Sequence, residues 1–252
     1  MSDKLLSLCI DDLSIGYVRH PVAAHLSATI TPGMLTCLLG VNGAGKSTLL
    51  RTLAGLQPPL GGRVLLEPMQ SSSSPAVDCE GVEDITTMSR RQRARCIAVV
   101  LTEHPDVAQL TVREVVAMGR MPYTGFFGGL SSEDKAVVDK ALEQVGIAGY
   151  ASRDIQTLSD GERQKVMIAK ALAQQTPVIL LDEPTAFLDY PSKVEMMKLL
   201  HRLAVSSGLT ILLSTHDIHL AEAFADRYLI LDTTLHAISR AALHEYIEEA
   251  KR

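Results

Sequence analysis

The stretch Gly40-Val41-Asn42-Gly43-Ala44-Gly45-Lys46-Ser47-Thr48 constrains this chain more than any other, because it fits G-x-x-x-x-G-K-[ST] throughout. Before it, the Thr31-Pro32-Gly33 corner leads into an apolar run, Met34 to Leu39, which reads as a buried strand. After it, Lys46 to Leu56 carries leucines at 49, 50, 53 and 56, the spacing of one helix face. A strand, a glycine-rich loop and a helix thus follow one another, the order that phosphate binding by backbone requires. The glycines let N–H groups curl around an anion, and the helix offers its positive end to the same anion. In that arrangement Lys46 reaches β- and γ-phosphates and Ser47 offers a hydroxyl to Mg²⁺.

A second site lies far along the chain. Val178-Ile179-Leu180-Leu181-Asp182-Glu183 reads as a buried strand ending in two carboxylates, followed by Pro184-Thr185. Asp182 at the strand tip is placed to hold Mg²⁺ through water, and Glu183 to polarise an attacking water, the base role in phosphoryl transfer. A guanine-reading Asn-Lys-x-Asp is excluded, because Asn42 is the only asparagine. The phosphate loop by itself leaves kinase and ATPase chemistry open.

The 252 residues suit one large domain or two small ones. Helical stretches at 163–175, 192–204 and 218–225 alternate with strands at 178–181, 210–213 and 228–231, the last taken as the final strand, which implies a parallel sheet wrapped by helices. Residues 61–84 read as a hairpin with a mobile tip at Ser71 to Ser74 and Pro75. The basic run Arg90 to Arg95 reads as a solvated helix face, since no aromatics interleave with it. A strand at 97–101 follows. Residues 103–160 then turn helical: Thr111 to Glu114 is a capping box, Ser131 to Asp134 a weaker cap, and Gly146 a stop. The loop Gly119 to Gly129 holds Tyr123, Phe126 and Phe127 and reads as a contact surface.

Composition narrows the function classes. A formal net charge of −5 argues against a generic nucleic-acid or anionic-membrane binder. No apolar run approaches the ~18 residues of a membrane span, and the N-terminal residues do not read as a signal peptide. Cys9, Cys37, Cys79 and Cys96 form no C-x-x-C and are expected as reduced thiols of a cytosolic protein. His216 and His219 form an H-x-x-H without a further ligand pattern, which is not read as a metal site.

Several segments together resemble the ABC ATPases. Leu158-Ser159-Asp160-Gly161-Glu162-Arg163-Gln164 looks like their LSGGQ signature and starts 24 residues before Asp182. Phe187-Leu188-Asp189 is similar to their D-loop, Ser214-Thr215-His216-Asp217 to their switch histidine, and Tyr17 stands where the family stacks an aromatic on adenine. The resemblance covers nearly the whole chain in family order. It implies an α/β fold: a P-loop NTPase, RecA-like core with an antiparallel β subdomain (1–102 and 161–240), an inserted helical signature subdomain (103–160) and a C-terminal helix (241–252).

It also implies a site. ATP and Mg²⁺ would be bound by Tyr17, Gly40, Asn42, Gly43, Ala44, Gly45, Lys46, Ser47 and Thr48, with Asp182 at the metal and Lys46, Glu183 and His216 catalytic. His216 would contact the γ-phosphate and hold the attacking water. In a head-to-tail dimer, Ser159, Gly161 and Asp189 would act on the nucleotide of a second copy. The chain departs from the family where a glutamine normally touches Mg²⁺: aligning on Thr111-Val112 puts Thr102 there, beside Glu103. Asp160 replaces the first signature glycine.

Within the family, Leu110 to Tyr123 resembles the stretch found in ATPases of iron-siderophore, haem and cobalamin importers. That implies two copies docked on a polytopic permease at the cytoplasmic face of the cell membrane, served indirectly by a periplasmic or lipid-anchored binding protein, with no nucleic-acid partner. The rival readings are an ABC exporter ATPase and a soluble ABC ATPase of a non-transport assembly system.

Overall fold

A computed structural model describes residues 5–18, 20–69, 82–102, 109–125 and 129–250. The expected Ser71–Pro75 tip, Cys79, Glu103, Phe126 and Phe127 lie outside them. In chain order the elements are β1 (Leu6–Tyr17), β2 (His20–Ile30), β3 (Leu35–Leu39), α1 (Lys46–Leu53), β4 (Gly61–Pro68), β5 (Glu83–Asp84), α2 (Arg90–Cys96), β6 (Ile97–Val100) and α3 (Val112–Ala117). There follow α4 (Ser132–Gln144), α5 (Asp160–Ala173), β7 (Val178–Leu181), α6 (Tyr190–Ser207), β8 (Thr210–Ser214), α7 (Ile218–Phe224), β9 (Arg227–Leu231), β10 (Leu235–Ile238) and α8 (Arg240–Ala250).

The strands form two sheets. One is antiparallel, in the order β2-β1-β4-β5; the other runs β10-β9-β3-β8-β7-β6, parallel except where β10 pairs antiparallel with β9. β10 is a strand beyond the last one expected: Asp232 folds back on Thr234 and returns the chain along β9. A four-residue strand with two exposed side chains leaves almost no apolar pattern to read.

The middle strands of the second sheet are buried throughout and mostly apolar because both faces are covered. The period-two side-chain alternation sends neighbouring residues to different cores. Leu35, Cys37, Ile179, Leu181, Ile211 and Leu213 join a core with α3 to α7. Leu38, Val178, Leu180 and Leu212 join another with α1 and the antiparallel sheet. α5 packs against α3 and α4 and also reaches β6, so it links the helical part to the sheet.

The basic run is a solvated face, as read: Arg90, Arg91, Gln92 and Arg95 are exposed. Arg91 and Arg95 both donate to the Pro122 carbonyl, at 3.0 and 3.3 Å, and Arg95 lies over the Tyr123 ring. The buried Arg120 also lies over that ring, 4.1 Å from its centre, while bonding Asp134, the Ala173 carbonyl and Gln175 at 2.8 Å each. Gln174 donates to the carbonyls of Ala94 and Ile97. The aromatic partner of these arginines stands about thirty residues away, so no local interleaving of aromatics announces it.

Candidate functional site

The phosphate loop leaves β3 at its C-terminal end, where parallel sheets place ligands. Gly40 has φ +154°, and a Cβ there would lie 2.3 Å from the Leu231 carbonyl oxygen. Gly45 has φ +97°, and a Cβ there would lie 2.4 Å from Val22 Cγ1. Both positions therefore need glycine: one for the passage beside β9, the other for the contact with β2. Gly45 caps α1 without a side-chain bond and the first turn carries no acid, so the N–H donors there keep their capacity for an anion. Asn42, Gly43 and Ser47 are exposed around that turn, with Ala44 and Thr48 half-buried.

Lys46 is buried, and its ammonium donates to the Gly40 and Val41 carbonyls at 2.7 and 3.1 Å. Both partners are neutral carbonyls. A buried cation so placed beside uncapped N–H groups fits a polyphosphate, which would supply the missing opposite charge.

Strand order then assembles the reacting groups. β8 lies between β3 and β7, so its C-terminal residues stand between the phosphate loop and the acidic strand end. Leu181 pairs with Leu213, which sets Asp182 and Ser214 side by side. Buried Asp182 is held by its N–H on the Val100 carbonyl (2.8 Å), by the Thr102 hydroxyl donating to its carbonyl (2.8 Å) and by the Ser214 hydroxyl donating to Oδ1 (2.7 Å). This fixed carboxylate, with a serine hydroxyl at the loop, is an oxygen-only donor set of the kind Mg²⁺ takes. The Thr102 hydroxyl is thus already engaged with backbone.

Glu183 leaves the strand with φ +48°, and its N–H donates to Ser214 Oγ at 2.9 Å. Its Oε2 lies 2.6 Å from His216 Nδ1. The glutamate side chain is 20% exposed and the histidine 55%, so the pair is open on one side. A cavity of about 260 Å³ is lined by Gly40, Val41, Asn42, Thr215 and His216 over apolar Leu39, Ile218 and Ile230. Lys46, Asp182, Glu183 and His216 thus share one end of the parallel sheet. Tyr17, half exposed, ends the β1–β2 hairpin whose Ile15 and Val22 flank Gly45.

The signature residues form a separate group. Ser159 caps α5 in a reciprocal box, its hydroxyl and N–H both bonded to the Glu162 carboxylate at 2.9 Å. The helix therefore starts at Asp160, three residues ahead of the 163–175 stretch read from the sequence. Those same bonds hold the Glu162 carboxyl below its ordinary pKa range. Gly161 faces Leu188 and Ser192, the latter at the start of α6. Asp189 caps α6 through the Ser192 N–H at 3.1 Å, and the Ser192 hydroxyl and N–H lower its carboxyl pKa.

Ser214 is the site residue that sequence reading passed over, quoting it only as the neighbour of His216. Its signal is a serine closing the apolar run Ile211-Leu212-Leu213.

The profile of the ABC transporter family matches residues 23–186. The achromobactin transport ATP-binding protein of Dickeya dadantii is 37% identical over 240 residues, 95% of this chain and 83% of that one. The iron(3+)-hydroxamate import ATP-binding protein of Bacillus subtilis is 38% identical over 219 residues, 87% and 76% of the two chains. A solved ABC transporter described as of metal-chelate type, in an inward-facing conformation, superimposes with a TM-score of 0.77 at 28% identity, covering 94% of this chain and 84% of that one.

Proposed function

This chain belongs to the ABC transporter family, and on that premise we propose that it is the ATP-hydrolysing subunit powering import of an iron-siderophore, haem or cobalamin-type metal chelate. The observation that carries the hydrolysis is the 2.6 Å Glu183–His216 contact beside a cavity that the phosphate loop also lines. The cargo class rests on the relatives, whose names speak of achromobactin and iron(3+)-hydroxamate.

In this reading the loop N–H groups and Lys46 bind the ATP phosphates, and Tyr17 stacks on the adenine. Asp182 and Ser47 hold Mg²⁺, with Thr102 within its water shell. When bound, Mg²⁺ offsets charge building on the phosphate oxygens. Glu183 accepts a proton from the attacking water, and His216 orients that water while its Nδ1 keeps the glutamate carboxylate aimed. Ser159, Gly161 and Asp189 act on the nucleotide of a second copy in a head-to-tail dimer. No helix among the described residues is long and apolar enough to cross a membrane. Attachment to the cytoplasmic face of the cell membrane then comes from docking on a permease.

Glu183→Gln tests the base role: ATP binding should persist while turnover falls by about a hundredfold or more. Turnover at the wild-type rate would refute it.

A further inference from the structure

We propose that Ser214 is a positioning residue for hydrolysis, its single hydroxyl setting both the Asp182 carboxylate and the backbone turn that aims Glu183. The inference rests on the roles given to those two residues above. Ser214 is fully buried at the tip of β8. Its Oγ donates to Asp182 Oδ1 at 2.7 Å and accepts the Glu183 N–H at 2.9 Å. One atom therefore bridges two consecutive acids from the neighbouring strand.

The consequences follow from what each bond restrains. The bond to Asp182 engages one lone pair of Oδ1 and restrains rotation of the carboxylate. The bond to Glu183 fixes a non-glycine residue in left-handed backbone, φ +48°, a conformation that persists only when its surroundings hold it. That turn carries the glutamate side chain from the strand direction to His216. The other ties on Asp182, from Val100 and Thr102, are to its backbone. They leave orientation of the carboxylate to Ser214.

Without the hydroxyl, a buried carboxylate oxygen and a backbone N–H each lose a partner, and both acids gain rotational freedom. Lost orientation acts on the chemical step rather than on nucleotide affinity, because the phosphate loop binds independently of Ser214.

The test compares Ser214→Thr with Ser214→Val in the full chain. The two replacements have nearly the same shape, so any crowding from the added methyls is common to both, and they differ in the hydroxyl. Ser214→Thr should retain turnover, whereas Ser214→Val and Ser214→Ala should lower kcat by about tenfold or more with KM for ATP unchanged. The Mg²⁺ concentration giving half-maximal ATP binding should rise in the valine and alanine variants and not in the threonine one, while ATP binding in EDTA stays equal in all. In nucleotide-free protein the Glu183 amide should exchange hydrogen faster in the valine variant than in the threonine one, with matching melting temperatures. Equal kcat, equal Mg²⁺ dependence and equal amide exchange in the threonine and valine variants would overturn the proposal. If Glu183→Gln abolishes turnover while that pair behaves alike, the positioning role fails alone. If Glu183→Gln turns over normally, the base role beneath it fails first.

Discussion

The two anion-directed helix starts of this molecule, at Lys46 and at Asp160, differ in what their first turns bond. The start of α1 carries no side-chain cap and no acid, and it opens from a loop in which a buried lysine rests on neutral carbonyls. The start of α5 is capped by its own Ser159–Glu162 box and holds Asp160 and Glu162 in its first turn. The first, in our proposal, is the phosphate site of a single chain. The second has its Ser159 hydroxyl and N–H engaged by the Glu162 carboxylate, so that box stands between Ser159 and an incoming anion. A helix N-terminus in sequence thus says little about binding until the partners of its first N–H groups are known.

That contrast can be broken experimentally. The largest effect belongs to Lys46→Ala: ATP binding to the single chain at dilute protein should weaken by about a hundredfold or more, whereas Ser159→Ala should leave single-chain binding unchanged and lower turnover only where copies associate. Fluorescent-nucleotide titration at two protein concentrations checks this. If Ser159→Ala weakens dilute binding as strongly as Lys46→Ala, both helix starts serve one nucleotide within the same chain.

A second prediction concerns the buried Arg120, which joins Asp134 of α4 to the C-terminal end of α5. Arg120→Ala leaves Asp134 without its buried partner and should cost roughly 3 kcal/mol in denaturant unfolding. A loss no larger than that of an exposed pair would show that the tie is not structural. The same pair should appear in acid. The Asp134 carboxyl is held below its ordinary range by the Ser131 hydroxyl and by Arg120. Its stabilisation is therefore complete above the unfolded carboxyl pKa of about 4 and is lost as pH falls through the lower folded value. Asp134→Asn should flatten that part of the acid stability profile, and an unchanged profile would exclude it.

The smallest effect is expected at Thr102. Its hydroxyl donates to the Asp182 carbonyl, and Thr102→Val should cost about 1 kcal/mol in unfolding. Because the Ser214 bond to the carboxylate remains, turnover should fall less than in Ser214→Val. The reverse order of kcat values would shift the positioning role to the threonine.

Much of this was legible beforehand where the chemistry is local. The capping boxes at Thr111 and Ser131 are written in residues three apart, and both form as read. The strand–loop–helix at Gly40 likewise depends on neighbours alone. The Arg90–Arg95 run is exposed as read, but its contacts with Pro122 and Tyr123, in another part of the chain, could not be read from the run itself. The extra strand β10 was too short and too exposed to carry a pattern.

By itself, then, the sequence determined where an anion can bind and where two acids end a buried strand, because glycine conformations, helix ends and apolar alternation are set within a few residues. Only the tertiary structure decided that β8 runs between β3 and β7, and hence that Ser214 meets Asp182 across 32 positions. Mostly apolar strands such as β3, β7 and β8 fit a sheet buried on both faces in any order. The order is chosen by long-range packing of helices on the two faces, and that choice decides which polar side chains stand next to one another at the strand ends.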